Sequence, residues 1–141
     1  MSKTIIWIED DYDIIEPVVY PLRKAGYQIV NIPTTKEASE KLEDLRQADL
    51  ILLDMFLPKG TGGKDFGAYP GRKFLQELRT EHQIKTPIVV FTVLSDEELL
   101  KDLESLGANG IVRKPIRSSL LKDYIENVLQ KHSADSLIKE Q

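Results

Sequence analysis

Five residues, Glu9, Asp10, Asp54, Thr92 and Lys114, stand at or just past the ends of short apolar runs. IIWI precedes Glu9 and Asp10, LILL precedes Asp54, IVVF precedes Thr92, and GIVR precedes Lys114. Each has an ordinary explanation alone: a helix cap, a strand terminus, a solvated lysine. Together they fit one reaction. Three carboxylates brought together repel one another and raise each other's pKa unless a cation joins them. The chain has no cysteine and two histidines far apart, His82 and His132, so the ligands on offer are oxygens, a donor set that suits Mg²⁺. Asp54 ends its run with no basic neighbour in sequence, which suits a positioned nucleophile. A carboxylate that attacks phosphorus gives an aspartyl phosphate, and such transfer depends on positioning and charge neutralisation. The Thr92 hydroxyl and Lys114 ammonium would serve the phosphoryl oxygens.

These residues converge only if the runs are neighbouring parallel strands. Strands are expected at Thr4 to Ile8, Tyr27 to Ile32, Leu50 to Leu53, Ile88 to Thr92 and Gly110 to Val112. Helical stripes lie between them: Ile14, Ile15, Val18, Val19 and Leu22; Ala38, Leu42 and Leu45; Phe74, Leu75 and Leu78; Leu99, Leu100, Leu103 and Leu106; and Leu120 through Leu129. The order is βα repeated five times. Asp13 with Glu16, Thr34 with Glu37 and Ser95 with Glu98 are spaced as capping boxes, and Gly26 and Gly107 stand where the first and fourth helices should end. Pro17 and Pro21 predict a kinked or shortened first helix. Near-continuous apolar strands mean a parallel sheet covered on both faces, hence a doubly wound α/β/α sandwich. Ligands bind such sheets outside the carboxyl ends of the strands, where all five residues fall.

Composition narrows the field. One domain accommodates 141 residues. The formal net charge of −4 gives no broad basic surface, so direct nucleic-acid contact is not expected. The apolar run Ile5 to Ile8 is too short for a signal peptide or a membrane span, and a cytoplasmic protein is expected. The segment from His132 to Gln141 has no strong pattern and reads as a frayed tail or the start of a linker.

The segments IIWIEDD, LILLDMFLP, VVFT and VRKP, in this order and at these separations, resemble the receiver domain of two-component response regulators. The resemblance covers about Lys3 to Lys131. It implies a flavodoxin-like five-stranded parallel sheet in the order 2-1-3-4-5, and Asp54 as acceptor of a phosphoryl group from a sensor histidine kinase or phosphotransfer protein. Asp10 and Asp54 would ligate Mg²⁺ directly, Glu9 through water, and the backbone carbonyl of Phe56 would complete the set. Thr92 and Lys114 fill the family's hydroxyl and lysine roles, and the Lys114–Pro115 bond is expected to be cis. The phosphorylated domain would signal to a downstream protein target, and the family often forms homodimers through the fourth helix, fifth strand and fifth helix. The receiver is expected over 1–131, with 132–141 as tail. It would catalyse its own phosphorylation and dephosphorylation without being a conventional enzyme.

Three departures stand out. Ile111 takes the place of the family's switching aromatic and reads as sheet packing. Phe56 and Leu94, two residues beyond Asp54 and Thr92, are bulky and apolar and cannot orient an attacking water, which points to a long-lived aspartyl phosphate. Five of the eight glycines, Gly60, Gly62, Gly63, Gly67 and Gly71, cluster in an insertion over 59–70 before a third helix expected near Arg72. Neither G-x-x-x-x-G-K-[ST] nor G-x-G-x-x-G is matched there, so it is no nucleotide cradle, and a neutral insertion is favoured over a partner-binding lid. Among rival readings, a haloacid-dehalogenase-like phosphatase wants a second acid where Phe56 stands. A flavodoxin-like electron carrier would have its phosphate repelled by Glu9, Asp10 and Asp11. A phosphorylation-independent receiver-like binding module is the strongest alternative.

Overall fold

The computed structural model describes residues 3–9, 12–55, 70–92, 97–114 and 116–140. Five strands, β1 (Thr4–Ile8), β2 (Gln28–Ile32), β3 (Leu50–Asp54), β4 (Ile88–Thr92) and β5 (Gly110–Arg113), form one parallel sheet in the order β2-β1-β3-β4-β5. The helices among the described residues are α1 (Tyr12–Lys24), α2 (Thr35–Ser39), α3 (Leu42–Gln47), α4 (Pro70–Thr80), α5 (Glu97–Ser105) and α6 (Ser118–Glu140).

Alternation along each strand divides the core in two. Ile5, Trp7, Leu50, Leu52, Val89, Phe91 and Val112 pack beneath α1 and α6, against Val19, Leu22, Leu121, Ile125 and Leu129. Ile6, Ile8, Ile51, Leu53, Ile88 and Val90 pack on the other face, against Ala38, Leu45, Phe74, Leu75, Leu78 and Leu103. Strands β1, β3 and β4 are buried almost throughout, which explains their unbroken apolar sequence. Each such side chain contributes about 1.5–3 kcal/mol by leaving water.

Several local expectations hold. Thr34 caps α2, its side chain accepting from the Glu37 N–H at 3.0 Å. Gly26 and Gly107 adopt φ of +103° and +111° and close Schellman turns, in which Tyr27 N–H reaches Leu22 O and Ala108 N–H reaches Leu103 O.

Others need correction. The second helix is two short ones, because the chain leaves helical geometry at Lys41 (φ −126°, ψ 39°). Helix α1 is already under way at Tyr12, so Asp13 lies in its first turn instead of capping it, and Glu16 is engaged by Arg23 at 2.7 Å. Pro17 and Pro21 do not shorten α1. They stand four residues apart on a side away from the buried Val19 and Leu22, so the carbonyls they leave unbonded can turn to water. Pro70 begins α4, the position where a missing N–H costs nothing, and so belongs to the helix instead of the insertion. Helix α6 continues to Glu140, since no glycine or proline interrupts the chain from Ser118 onward. The segment 132–140 is therefore helical, not a frayed tail. The cap pairing Ser95 with Glu98 and insertion residues 59–69 lie outside the described residues.

Candidate functional site

Register brings the strand ends together. Ile8 pairs with Leu53, Asp54 with Phe91, and Thr92 with Arg113. The ladder extends one residue past β1, where the Glu9 N–H donates to Ile32 O at 3.1 Å, and one past β5, where the Lys114 N–H donates to Thr92 O at 2.7 Å. Glu9, Asp54, Thr92 and Lys114 thus gather at one sheet edge. The first three are 1%, 5% and 0% exposed, so their polar groups must be answered by protein or ligand.

Among the described residues, Lys114 is the cation in reach. Its Nζ lies 3.0 Å from Glu9 Oε1 and 3.4 Å from Asp54 Oδ1. It also sits 5.1 Å from the centre of the Phe91 ring, a cation–π contact that holds the ammonium over the sheet. Phe91 in turn meets Trp7 edge to face at 5.5 Å between centroids. The aromatic pair forms a floor under the lysine.

One ammonium does not balance two buried carboxylates. Burial, followed by the Asp54 carboxylate beside it, pushes the Glu9 carboxyl from its ordinary 4.5 up to about 7, with Lys114 pulling the other way. Glu9 Oε2 is buried without a hydrogen-bond donor. An acidic, oxygen-only corner with an orphaned carboxyl oxygen fits a hard divalent cation such as Mg²⁺.

Asp10, the Phe56 carbonyl, Leu94 and Pro115 with its peptide bond all lie outside the described residues. Among the described residues no group of three or more acids, histidines or cysteines is placed to hold a metal. Ile111 is partly buried against the core, and its N–H donates to the Tyr124 hydroxyl at 3.1 Å.

Sequence reading missed three residues here. The Asn31 amide donates to the carbonyls of Trp7 and Glu9 at 3.0 and 2.9 Å. An asparagine inside QIVNI, where strand residues are usually apolar or β-branched, was the available signal. Phe91 looked like one more apolar strand residue. Gly71 looked like part of the glycine cluster, yet it packs α4 onto the end of β3. Its N–H donates to Met55 O at 3.0 Å, and a Cβ there would lie 2.3 Å from Asp54 O.

Comparison with known proteins agrees with this geometry. The family model described as "Response regulator receiver domain" matches residues 5–126. The transcriptional regulatory protein CrdR of Helicobacter pylori is 31% identical over 115 residues, covering 82% of this chain and 49% of that protein. The chain spans about half the length of the curated relatives it matches. The signal receiver domain of a LuxO repressor protein from Vibrio parahaemolyticus superposes with a TM-score of 0.81 at 21% identity, over 98% of both chains, a likeness of fold. The BeF3-activated N-terminal receiver domain of Klebsiella pneumoniae RstA gives 0.74 at 27% identity, over 90% of this chain and 98% of that one. With the family model matching nearly the whole sheet and its helices, this chain belongs to the response regulator receiver domains, the phosphorylation-based signalling domains of two-component systems.

Proposed function

We propose that Asp54 is the phosphoacceptor and that Glu9, Asp10, Asp54 and the Phe56 carbonyl hold the Mg²⁺ its phosphorylation requires. The observation that carries this is the half-buried Lys114 ammonium between the buried Glu9 and Asp54, at 3.0 and 3.4 Å, with buried Thr92 at the same sheet edge. An Asp54 carboxylate oxygen attacks the phosphorus of a phosphohistidine on a sensor kinase or phosphotransfer protein. The O–P bond forms as the N–P bond breaks, and the electron pair stays on the imidazole nitrogen, which takes up a proton. Lys114 stabilises the transferring oxygens by charge, and Thr92 by its hydroxyl. Bound Mg²⁺ supplies further neutralisation of phosphoryl charge. Hydrolysis of the aspartyl phosphate, with water as nucleophile, returns the domain to its starting state.

The phosphorylated domain signals by protein contact. A cleft of about 670 Å³ between α5, β5 and α6, lined by Leu100, Glu104, Asn109, Arg113, Tyr124 and Lys131, lies on the face where receivers meet targets or a second copy. The receiver occupies 1–131. A cytoplasmic setting, where soluble phosphoryl donors are present, goes with this reading; among the described residues no helix is long and apolar enough to cross a membrane. The chain's lack of a broad basic surface speaks against direct nucleic-acid binding by this domain, although a relative such as CrdR is named a transcriptional regulator.

Incubation with acetyl phosphate and Mg²⁺, followed by intact mass measurement, tests the proposal. Wild type should gain one phosphoryl group, and Asp54→Asn or wild type in EDTA should gain none. Absence of an adduct on wild type, from this donor and from a kinase, would favour the phosphorylation-independent binding module.

A further inference from the structure

Asn31 is half-buried on the outer strand β2, opposite Trp7 in the β1 register. Its Nδ2 spends both protons on β1, donating to Trp7 O at 3.0 Å and Glu9 O at 2.9 Å. These carbonyls are two residues apart, so they face the same side of the strand and one amide can span them. The Glu9 N–H is held from the same strand by Ile32 O. Both backbone polar groups of Glu9 are therefore tied to β2, beyond the last regular pair of the sheet. Asn31 Oδ1 is buried and accepts no hydrogen bond, so the amide is anchored entirely by what it donates. Glu9 Oε2, on the residue it clamps, is likewise a buried oxygen at this edge without a donor.

We propose that Asn31 is a positioning residue for the cation site: by donating to both carbonyls it fixes the backbone at Glu9 and so aims the Glu9 carboxylate. The inference rests on the Mg²⁺ reading above. Partners that orient a metal-binding carboxylate typically change metal affinity by about 10- to 100-fold when removed. Asn31 acts as a donor, so an aspartate at 31 fails as an alanine does. Its added negative charge would instead attract the cation if Asn31 served by charge or as a ligand.

The test is a Mg²⁺ titration of the full chain by calorimetry and by fluorescence of Trp7. This is the sole tryptophan, fully buried and in contact with the Phe91 floor of the site. Thermal unfolding of each metal-free variant reports its fold. Asn31→Ala and Asn31→Asp should each weaken Mg²⁺ binding on the order of 10-fold, with cooperative unfolding retained. In a Glu9→Gln background Asn31→Ala should cost no further affinity, a non-additivity that general loosening of the fold would not produce. Wild-type affinity in either single variant, tighter binding by Asn31→Asp, or full additivity with Glu9→Gln would overturn the assignment. A wild type that binds no Mg²⁺ would remove the magnesium reading and this inference together. Binding by wild type that Asn31→Ala leaves unchanged would remove this inference alone.

Discussion

Lys114 neutralises carboxylates that burial has cut off from water, and its removal has two separable consequences. In Lys114→Ala, Glu9 and Asp54 face each other without the ammonium that now lies 3.0 and 3.4 Å away, and the Glu9 pKa should rise further. Labelling by acetyl phosphate should fall on the order of 100-fold, the scale for losing one preorganised group that stabilises transition-state charge. Glu9 itself predicts a pH dependence. Its carboxyl binds a proton more tightly in the folded state, at about 7 against an ordinary 4.5. The stability this adds is complete below pH 4.5 and is lost as pH rises through about 7. In EDTA, the melting temperature of wild type should therefore fall between these limits relative to that of Glu9→Gln. At this scale the sequence was informative about charge: Glu9, Asp54, Thr92 and Lys114 were legible as strand-end residues of matched chemistry. Asn31 and Phe91 were not, because their roles depend on which strand lies alongside which. For Phe56, outside the described residues, the expectation stands on sequence. Phosphate loss should be faster in Phe56→Asn than in wild type, and equal rates would defeat the idea of a shielded phosphoryl group.

Two element contacts decide how firmly the site is held. Gly71 seats α4 on the Asp54–Met55 peptide, where a Cβ would stand 2.3 Å from Asp54 O and 2.7 Å from the Met55 Cα. Gly71→Ala should force α4 off the end of β3, lowering the melting temperature and slowing Asp54 labelling together. The next residue, Arg72, grips Asp102 of α5 with two nitrogens and holds that carboxyl below its ordinary pKa. At the opposite edge of the sheet, Arg79 donates to the carbonyls of Ile84, Thr86 and Gly107 and to Asn109 Oδ1, at 2.6 to 3.1 Å. Burial lowers its pKa, and five hydrogen bonds offset that cost. Arg79→Ala leaves several acceptors unanswered and should cost about 2–4 kcal/mol in denaturant unfolding. A loss under about 0.5 kcal/mol would contradict this. Sequence pattern located the strands because both faces are buried, but it merged α2 and α3. The stripe Ala38, Leu42 and Leu45 is the same for one helix or two, and neither glycine nor proline marks the break at Lys41. Pro17 and Pro21 misled in the opposite sense, since a proline on a solvent-facing side interrupts less than its propensity suggests.

Across the whole molecule, near-continuous apolar strands predicted layers and covered faces, but the strand order came only with the family resemblance. Nothing in the spacing of apolar runs says that β1 lies between β2 and β3. Helix α6 was legible through Leu129, the last residue of its apolar stripe in the sequence, and unreadable beyond, although the helix continues to Glu140. Since the receiver-domain model matches residues 5–126, a chain ending at Lys131 should unfold cooperatively and still accept phosphate. The chain covers about half the length of its curated relatives, and a receiver's output depends on what it contacts, so the phosphoryl transfer proposed at Asp54 is the part of the function to test on this domain. The most direct measurement is to phosphorylate wild type with acetyl phosphate and Mg²⁺, reduce the acyl phosphate with borohydride, and sequence the peptide containing Asp54. Homoserine at position 54 is the predicted result; an unmodified Asp54, or reduction at another carboxylate, would contradict the account.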